Sequence, residues 1–276
     1  MSQAGGVLDR IVETKRREVA ERMAQLPLDE VKRRAKDEEP ARNFYQAVAR
    51  EPRKLLNVIA EVKRASPSAG VIKGDFDPVA IARAYEAAGA DAISCLTDEP
   101  YFQGKLEYVR DIKKHVQLPV LRKDFIIDAW QVYESRAAGA DAILLIAECL
   151  QVNEMIDLQI LATELHMTTL IEVHSMENLM RVRDCVIGLP MKSYSLLGIN
   201  NRDLQTMQVS VANTLRMVEL VENKAVLVSE SGIQTREHTE KLAAAGVNAV
   251  LIGETLMRSG DIDKTMRELF ARRITV

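Results

Sequence analysis

The sequence predicts an α/β fold, a (βα)8 barrel with extra N-terminal helices, on three observations. A short segment repeats. Ala88-Gly89-Ala90-Asp91-Ala92-Ile93 returns as Ala138-Gly139-Ala140-Asp141-Ala142-Ile143 and, more loosely, as Ala245-Gly246-Val247-Asn248-Ala249-Val250. In each copy an Ala-rich amphipathic segment precedes the Gly, which suits the left-handed position just past a helix. The apolar run that follows suits a strand buried on both faces, as in a parallel sheet. Secondly, eight such runs alternate with helical segments over roughly 220 residues, the size of this barrel. Thirdly, polar residues gather after nearly every run, as they would around one mouth. An open doubly wound sheet of eight parallel strands is the alternative, and the polar clustering favours the closed form.

The chain is expected to form one barrel domain over residues 1–276, with residues 1–50 as a helical extension. In that extension Val7, Leu8, Ile11, Val12, Val19, Met23 and Leu26 have helical spacing. A second helix is expected near Asp29 and a third after Asn43, a candidate N-cap. The extension either covers the barrel's floor or flank, or forms a flap over the mouth; the sequence leaves both open. Expected strands are 55–61, 91–96, 119–123, 141–146, 168–173, 195–199, 225–229 and 248–252. Expected helices are 78–88, 104–115, 128–138, 152–165, 176–184, 211–221, 235–245 and 261–271.

Composition narrows the function classes. The 276 residues are 47% hydrophobic and 28% charged, with a net charge of −3, a globular composition. No basic excess suggests a nucleic-acid partner. The basic cluster Lys32-Arg33-Arg34 is flanked by acids and reads as a solvated helix face. No apolar stretch has the length of a membrane span, and the N-terminus lacks the pattern of a signal peptide. Cys95, Cys149 and Cys185 are far apart and odd in number, which fits neither a disulfide framework nor a zinc site. A cytoplasmic protein, monomeric or weakly dimeric, is expected.

In a parallel barrel, catalytic groups sit at the C-terminal strand ends. The first strand ends in Glu61-Val62-Lys63-Arg64-Ala65-Ser66-Pro67-Ser68, which puts Glu61 and Lys63 on one strand face. Burying such a pair costs several kcal/mol of desolvation per ion, so a merely structural strand would use Val or Ile there. Lys123 ends the third strand, Glu172 the fifth, Asn200 and Arg202 the sixth, Glu230 and Ser231 the seventh. Lysines can serve as acids and a carboxylate as base or second acid, and the Arg202 fork suits a carboxylate. One such residue alone could be a rim ion pair; their convergence at one mouth favours catalysis.

Ser231-Gly232 and Gly253-Glu254, after the seventh and eighth strands, put Gly where a helix is about to begin. Exposed N–H groups there favour an anion, and these loops form this fold's usual phosphate site. The plainer alternative is tight turns. The Glu254 carboxylate is expected to point away. His115, His166 and His238 fall elsewhere, and His174, on the strand face of Glu172, is too little for a metal site. No metal and no cofactor are expected. Phe102 and Phe125 could wall an aromatic substrate, whereas Trp130 and Tyr133 read as packing.

Taken with Leu121-Arg122-Lys123-Asp124-Phe125, Ile171-Glu172-Val173-His174, Ile199-Asn200-Asn201-Arg202-Asp203-Leu204 and Ser229-Glu230-Ser231-Gly232-Ile233, the first strand end resembles the indole-3-glycerol phosphate synthase family from the N-terminal helices to the last helix. The resemblance implies a TIM barrel without cofactor. It also implies an anionic sugar-phosphate substrate, 1-(2-carboxyphenylamino)-1-deoxyribulose 5-phosphate, closed to indole-3-glycerol phosphate with loss of CO2 and water. It assigns four catalytic residues: Lys123 as general acid, Glu172 to proton transfer, Lys63 to the substrate's anionic groups with a share in the acid role, and Glu61 to holding the lysines. Ser66, Asn200, Arg202 and Glu230 are implied to position substrate, and Ser231, Gly232, Gly253 and Glu254 to form the phosphate end. Two rivals stay open. A phosphoribosylanthranilate isomerase-like enzyme would want an acid–base Cys and Asp at strand ends. A non-catalytic sugar-phosphate-binding barrel would have no need of Lys63, Lys123 and Glu172 together.

Overall fold

The structure, a computed structural model, describes residues 6–203 and 206–272; Leu204, which closes the sixth-strand motif, lies outside them. Eight parallel strands close a barrel: β1 (Asn57–Val62), β2 (Ala92–Leu96), β3 (Val120–Lys123), β4 (Ala142–Ile146), β5 (Thr168–Val173), β6 (Ser195–Asn200), β7 (Leu227–Glu230) and β8 (Ala249–Ile252). Each pairs with the next in the chain, and β8 closes on β1 with Asn57 opposite Ala249. The open-sheet alternative is thereby excluded.

Alternation along each strand divides the core in two. Ile59, Leu121, Leu170, Leu196, Val228 and Leu251 point inward and fill the barrel. Their neighbours Val58, Ala60, Val120, Ile171, Leu197 and Val250 point outward, under the surrounding helices. Two expected helices differ from the structure. The segment 104–115 is a helix only over Glu107–His115; a separate short helix, Glu99–Phe102, precedes it. Asp98 caps that helix by accepting the Tyr101 N–H at 2.9 Å, and Gly104 presses so close to the Leu96 carbonyl that a Cβ would lie 2.3 Å from its oxygen. The segment 211–221 is α-helical over Ala212–Met217 and tightens to a 3-10 turn at Val218–Leu220.

The repeat has a structural purpose. Gly89, Gly139 and Gly246 are all left-handed, at φ 81°, 89° and 90°, where a Cβ would be strained. The Asp that follows reaches back to an earlier strand's start: Asp91 Oδ2 accepts the Val58 N–H at 2.7 Å, and Asp141 Oδ2 accepts the Val120 N–H at 2.8 Å. In the third copy Asn248 Nδ2 donates instead to the Val48 carbonyl at 2.7 Å.

The extension forms α1 (Val7–Gln25), α2 (Leu28–Asp37) and α3 (Phe44–Ala49), the last capped by Asn43 Oδ1 accepting the Gln46 N–H at 2.8 Å. The two expected placements divide among them. Phe44 and Val48 of α3 are fully buried and plug the barrel floor against the inward-facing residues. On the flank, Val31 and Ala35 of α2 pack with Val19 of α1 around Trp130, whose Nε1 donates to the Leu26 carbonyl at 3.0 Å. The first turns of α1 reach the mouth, where Val7, Leu8 and Ile11 wall the cavity. Among the described residues no helix is long and apolar enough to cross a membrane.

If α3 is the floor of the core, Phe44→Ala should cost about 3–5 kcal/mol of unfolding free energy. Turnover of the folded fraction should be unchanged, because the cavity is at the other end of the barrel. A denaturation midpoint equal to that of the wild type would mean α3 lies on the barrel without contributing to its core.

Candidate active site

At the mouth the inward register turns from apolar to charged. Two residues beyond Ile59, Leu121, Leu170 and Val228 stand Glu61, Lys123, Glu172 and Glu230, and all four line one cavity with Lys63, Ser66, Phe102, Phe125, Asn200, Arg202, Ser231, Gly232, Gly253 and Glu254. Every residue singled out in the sequence for the site therefore faces the same space.

Lys123 is the centre of the charge. Its Nζ is 2.8 Å from Glu172 Oε2 and 3.5 Å from Glu230 Oε2. Lys63 and Glu61 form a second ion pair beside it. Burial disfavours the Lys123 ammonium, but Glu172, Glu230 and Glu61 outweigh it and hold its pKa above the usual lysine value. The two glutamates then separate. Burial also opposes ionisation of Glu172, yet Lys123 and His174 overcome it and hold this carboxyl below the usual range. Glu230 has no such surplus. Burial and the negative charge of Glu172 push it well above 4.5, with only Lys123 in opposition. Neither Glu230 oxygen has a hydrogen-bond partner among the described residues. The cluster thus sets an ammonium beside one carboxyl whose charged form is favoured and one whose neutral form is favoured, within reach of one cavity.

Two glycines make this packing possible. Gly198 of β6 is registered with Glu172 of β5. A Cβ on it would stand 2.1 Å from Glu230 Oε1, so Glu230 leans across β6 through the space a side chain would fill. A Cβ on Gly253 would stand 2.5 Å from Glu61 Oε2 and 2.9 Å from its Cβ. Gly253, expected to serve a phosphate, therefore also makes room for the carboxylate that pairs with Lys63. Sequence reasoning missed Gly198 altogether, since a glycine inside an apolar run carries no polar signal.

Around the charge cluster, Phe102 and Phe125 meet at 6.2 Å between ring centroids and wall one side. Ser66 lies in the hairpin Ala65–Ser66 and Gly70–Val71, its Oγ accepting the Ala69 N–H at 3.2 Å. The Arg202 backbone N–H donates to Asn200 Oδ1 at 3.0 Å, and Arg202 lines the cavity, its Nη1 donating to the Met207 carbonyl at 3.4 Å. Ser231 and Gly232 are successive left-handed residues at φ 67° and 74°, which turns the chain sharply after β7. The Glu254 carboxylate pairs with Arg258 at 3.0 Å, on a side chain 42% exposed.

Behind the lysine lies a network that the sequence reading did not find. Arg122, the outward neighbour of Lys123, is fully buried and pairs with Asp124 at 3.0 Å and Glu134 at 2.8 Å. Lys15 of α1 closes on Asp124 at 3.0 Å and Asp98 at 2.9 Å, and Arg22 on Glu134 at 2.6 Å. His174 and Glu148 form another such layer behind Glu172. The strand-end rule would have found Asp98 and Glu148, which follow β2 and β4. Among the described residues no group of three or more His, Cys, Asp or Glu could hold a metal ion.

Comparison with known proteins shows the family. The family model described as indole-3-glycerol phosphate synthase matches residues 8–269. The indole-3-glycerol phosphate synthase of Alkaliphilus metalliredigens is 44% identical over 263 residues, covering 95% of this chain and 97% of that one. That of Geobacillus kaustophilus is 46% identical over 264 residues, 96% of both. Solved structures show the fold alone. The 3-hexulose-6-phosphate synthase of Salmonella typhimurium superimposes with a TM-score of 0.61 at 12% identity, covering 78% of this chain and 96% of its own. A variant of the tryptophan synthase alpha-subunit of Pyrococcus furiosus gives 0.55 at 16%, covering 77% and 97%.

Two measurements probe the charge cluster. Burial and a neighbouring carboxylate both favour the neutral form of Glu230, so an infrared carboxylic-acid C=O stretch should persist at neutral pH and vanish in Glu230→Gln. Its absence from the wild type would mean that both glutamates are ionised. Gly198→Ala should leave the protein folded but displace the Glu230 carboxyl, lowering turnover about tenfold or more. Wild-type turnover in that variant would show that the Glu230 position is immaterial.

Proposed function

The chain belongs to the indole-3-glycerol phosphate synthase family, and we propose that Lys123, Glu172 and Glu230 carry its proton transfers, with the remaining cavity residues holding the two ends of the substrate. The activity is ring closure, decarboxylation and dehydration of 1-(2-carboxyphenylamino)-1-deoxyribulose 5-phosphate to indole-3-glycerol phosphate, a carbon–carbon lyase reaction of tryptophan biosynthesis, in the cytoplasm. The observation that carries the residue assignment is the ammonium of Lys123 set between two buried carboxyls, Glu172 at 2.8 Å and Glu230 at 3.5 Å, the first held below the usual carboxyl range and the second pushed above it.

Ring closure joins the aromatic carbon bearing the carboxylate to the ketone carbon. The ketone oxygen gains an electron pair and needs a proton, which Lys123 is charged to give. A positioned acid is worth typically about 10²–10⁴-fold. The C–CO2 bond then breaks, and its electrons restore the aromatic ring. Dehydration follows: the alcohol oxygen takes a proton and leaves as water, and the carbon beside the nitrogen gives one up. Glu172, kept ionised, suits the acceptor; Glu230, kept neutral, suits the resupply of protons.

None of this happens unless a flexible chain is bent so that ring and ketone meet. That is an orientation problem, worth up to about 7–11 kcal/mol in favourable cases. Two anchors at opposite ends solve it. The backbone N–H groups of Ser231, Gly232, Gly253 and Glu254 suit the phosphate, with the Glu254 side chain turned to Arg258. Lys63 and Arg202, seated by Glu61 and Asn200, suit the aryl carboxylate, while Ser66 and the Phe102–Phe125 wall flank the ring. The isomerase alternative falls with the family match, and Cys95 is fully buried within β2. A binding barrel without catalysis would not concentrate these charges at its mouth.

The kinetic test contrasts two variants, with indole fluorescence as the readout. Lys123→Ala should cut kcat by at least about 10²-fold while KM changes little, because the charge it serves develops in the transition state. Glu172→Gln keeps the shape but has no titratable proton. It should also bind normally and turn over slowly, and the acid limb of its pH–rate profile should flatten. A rise in KM alone in either variant would make that residue a binding group.

A further inference from the structure

Glu148 has no duty in the mechanism above, yet its carboxylate is fully engaged. It lies in the 3-10 turn Ala147–Cys149 after β4. Its Oε1 accepts the backbone N–H of His174 at 2.9 Å and the Asn178 Nδ2 at 3.0 Å; its Oε2 meets the ring Nδ1 of His174 at 3.1 Å. Asn213 Nδ2 donates to the His174 carbonyl at 3.1 Å. Glu148 thus holds His174 by its backbone N–H and its ring, and Asn213 holds its carbonyl, with 8% of its side chain exposed. Its free nitrogen, Nε2, is 3.3 Å from Glu172 Oε1, whereas Lys123 holds the other oxygen of that carboxylate.

The proton count follows from this geometry. A carboxylate on Nδ1 requires Nδ1 to carry a proton. Nε2 then has two states. It either carries a second proton and donates to the Glu172 carboxylate, or it presents a lone pair. Two lone pairs facing each other repel, so in the second state Oε1 must carry the proton. The contact between Nε2 and Oε1 therefore holds one proton in either state.

We propose that His174, oriented by Glu148, is a positioning residue for Glu172: it keeps that carboxylate turned into the cavity and stores at Nε2 the proton that Oε1 exchanges during turnover. The inference rests on Glu172 being the proton-transfer group of the proposed function. In the exchange the Nε2–H bond breaks and an Oε1–H bond forms. The imidazolium becomes a neutral ring with its proton on Nδ1, the carboxylate becomes the acid, and the return step reverses both.

The electrostatics agree. Burial disfavours the charged ring, but Glu148, from the end of β4, and Glu172, on its own strand, outweigh it against the opposing charge of Lys123 from β3. From the helices Met176–Arg183 and Ala212–Met217 the uncharged Asn178 bonds Glu148 and the uncharged Asn213 bonds the His174 carbonyl, and Arg181 is turned to the carbonyls of Ala147 and Leu150. The ring's pKa is accordingly raised above the ordinary histidine value, Glu148 and Glu172 favouring its charged form.

The experiment pairs spectroscopy with kinetics. The chain has 4 histidines, so 15N-histidine NMR of the whole protein resolves each ring, and His174→Asn assigns the signal. In the wild type both ring nitrogens of His174 should stay protonated through neutral pH. Glu148→Gln and Glu172→Gln should each lower that titration. In kinetics, His174→Asn should lose about tenfold or more in kcat with little change in KM. The acid limb of its kcat profile should move up by about one pH unit, because Glu172 has lost a positive neighbour. His174→Gln, which can place an amide N–H near the Nε2 position, should restore the limb but not the rate. Far-UV circular dichroism of all variants should match the wild type, so that a lost rate is not a lost fold.

A His174 ring that titrates at the ordinary value, indifferent to Glu172→Gln, overturns the proposal. So does His174→Asn with wild-type kcat and pH profile while Glu172→Gln is inactive. If the wild type itself makes no indole product, the function assigned to the cavity fails, and the NMR titration still decides whether His174 and Glu172 share a proton.

Discussion

One buried ammonium organises the mouth of this barrel. Lys123 points inward where its strand ends, above a layer of aliphatic side chains, and a charge there is costly unless it is paired and hydrogen-bonded. Three carboxyl groups answer it, and each then needs room. Glu230 obtains it through the missing side chain of Gly198, and Glu61 through that of Gly253. Crowding also sets the ionisation. Two carboxyls so close to each other cannot both ionise freely. The one with Lys123 at 2.8 Å and His174 at 3.3 Å is held below the usual carboxyl range, and the one with Lys123 at 3.5 Å is pushed above it. An acid and a base thus arise from two identical side chains by difference of partners alone.

The extension is drawn into the same arrangement. Strand alternation sends Lys123 into the cavity and Arg122 the other way, against the helix Ala129–Ala137. Arg122 is fully buried and needs partners of its own, which Asp124 and Glu134 supply. Those carboxylates also hold Lys15 and Arg22 of α1. The strand that carries the candidate acid is therefore tied to the helix that walls the mouth. At the other end α3 closes the floor by hydrophobic burial of Phe44 and Val48, and its C-cap Arg50 pairs with Asp91 at 2.7 Å.

This division explains what was legible in the sequence. Strand ends were legible because a charge after an apolar run breaks its pattern; Glu61, Lys63, Lys123, Glu172, Arg202 and Glu230 all gave themselves away so and all face one cavity. The repeat was legible because left-handed Gly89, Gly139 and Gly246 recur at the same place in the unit. Gly198 was not, because its function is an absent side chain beneath a residue 32 positions away in the chain. Lys15 and Arg22 were hidden among the many charges of an exposed-looking helix, and only tertiary packing distinguishes them. Glu148 and Asp98 were legible in principle, as polar residues directly after strands four and two. The split of the extension between floor and mouth was not legible, since amphipathic spacing shows that a face is buried but not against what.

The sharpness of the boundary between core and cavity has its own consequence. From Leu170 to Glu172, or Leu121 to Lys123, the barrel interior passes from aliphatic to ionic across two residues, about 7 Å of strand. The charges therefore rest directly on a dry, weakly polarisable layer and are screened by water only from above. In such a place a fixed ammonium acts on a developing negative charge far more strongly than it would in bulk water. Part of that remaining water must leave when a substrate fills the cavity, and the field of Lys123 at the bound oxygen strengthens as it does. The same apolar layer that gives the barrel its stability is thus what gives the charges above it their force, and neither strand ends nor core would serve the reaction without the other.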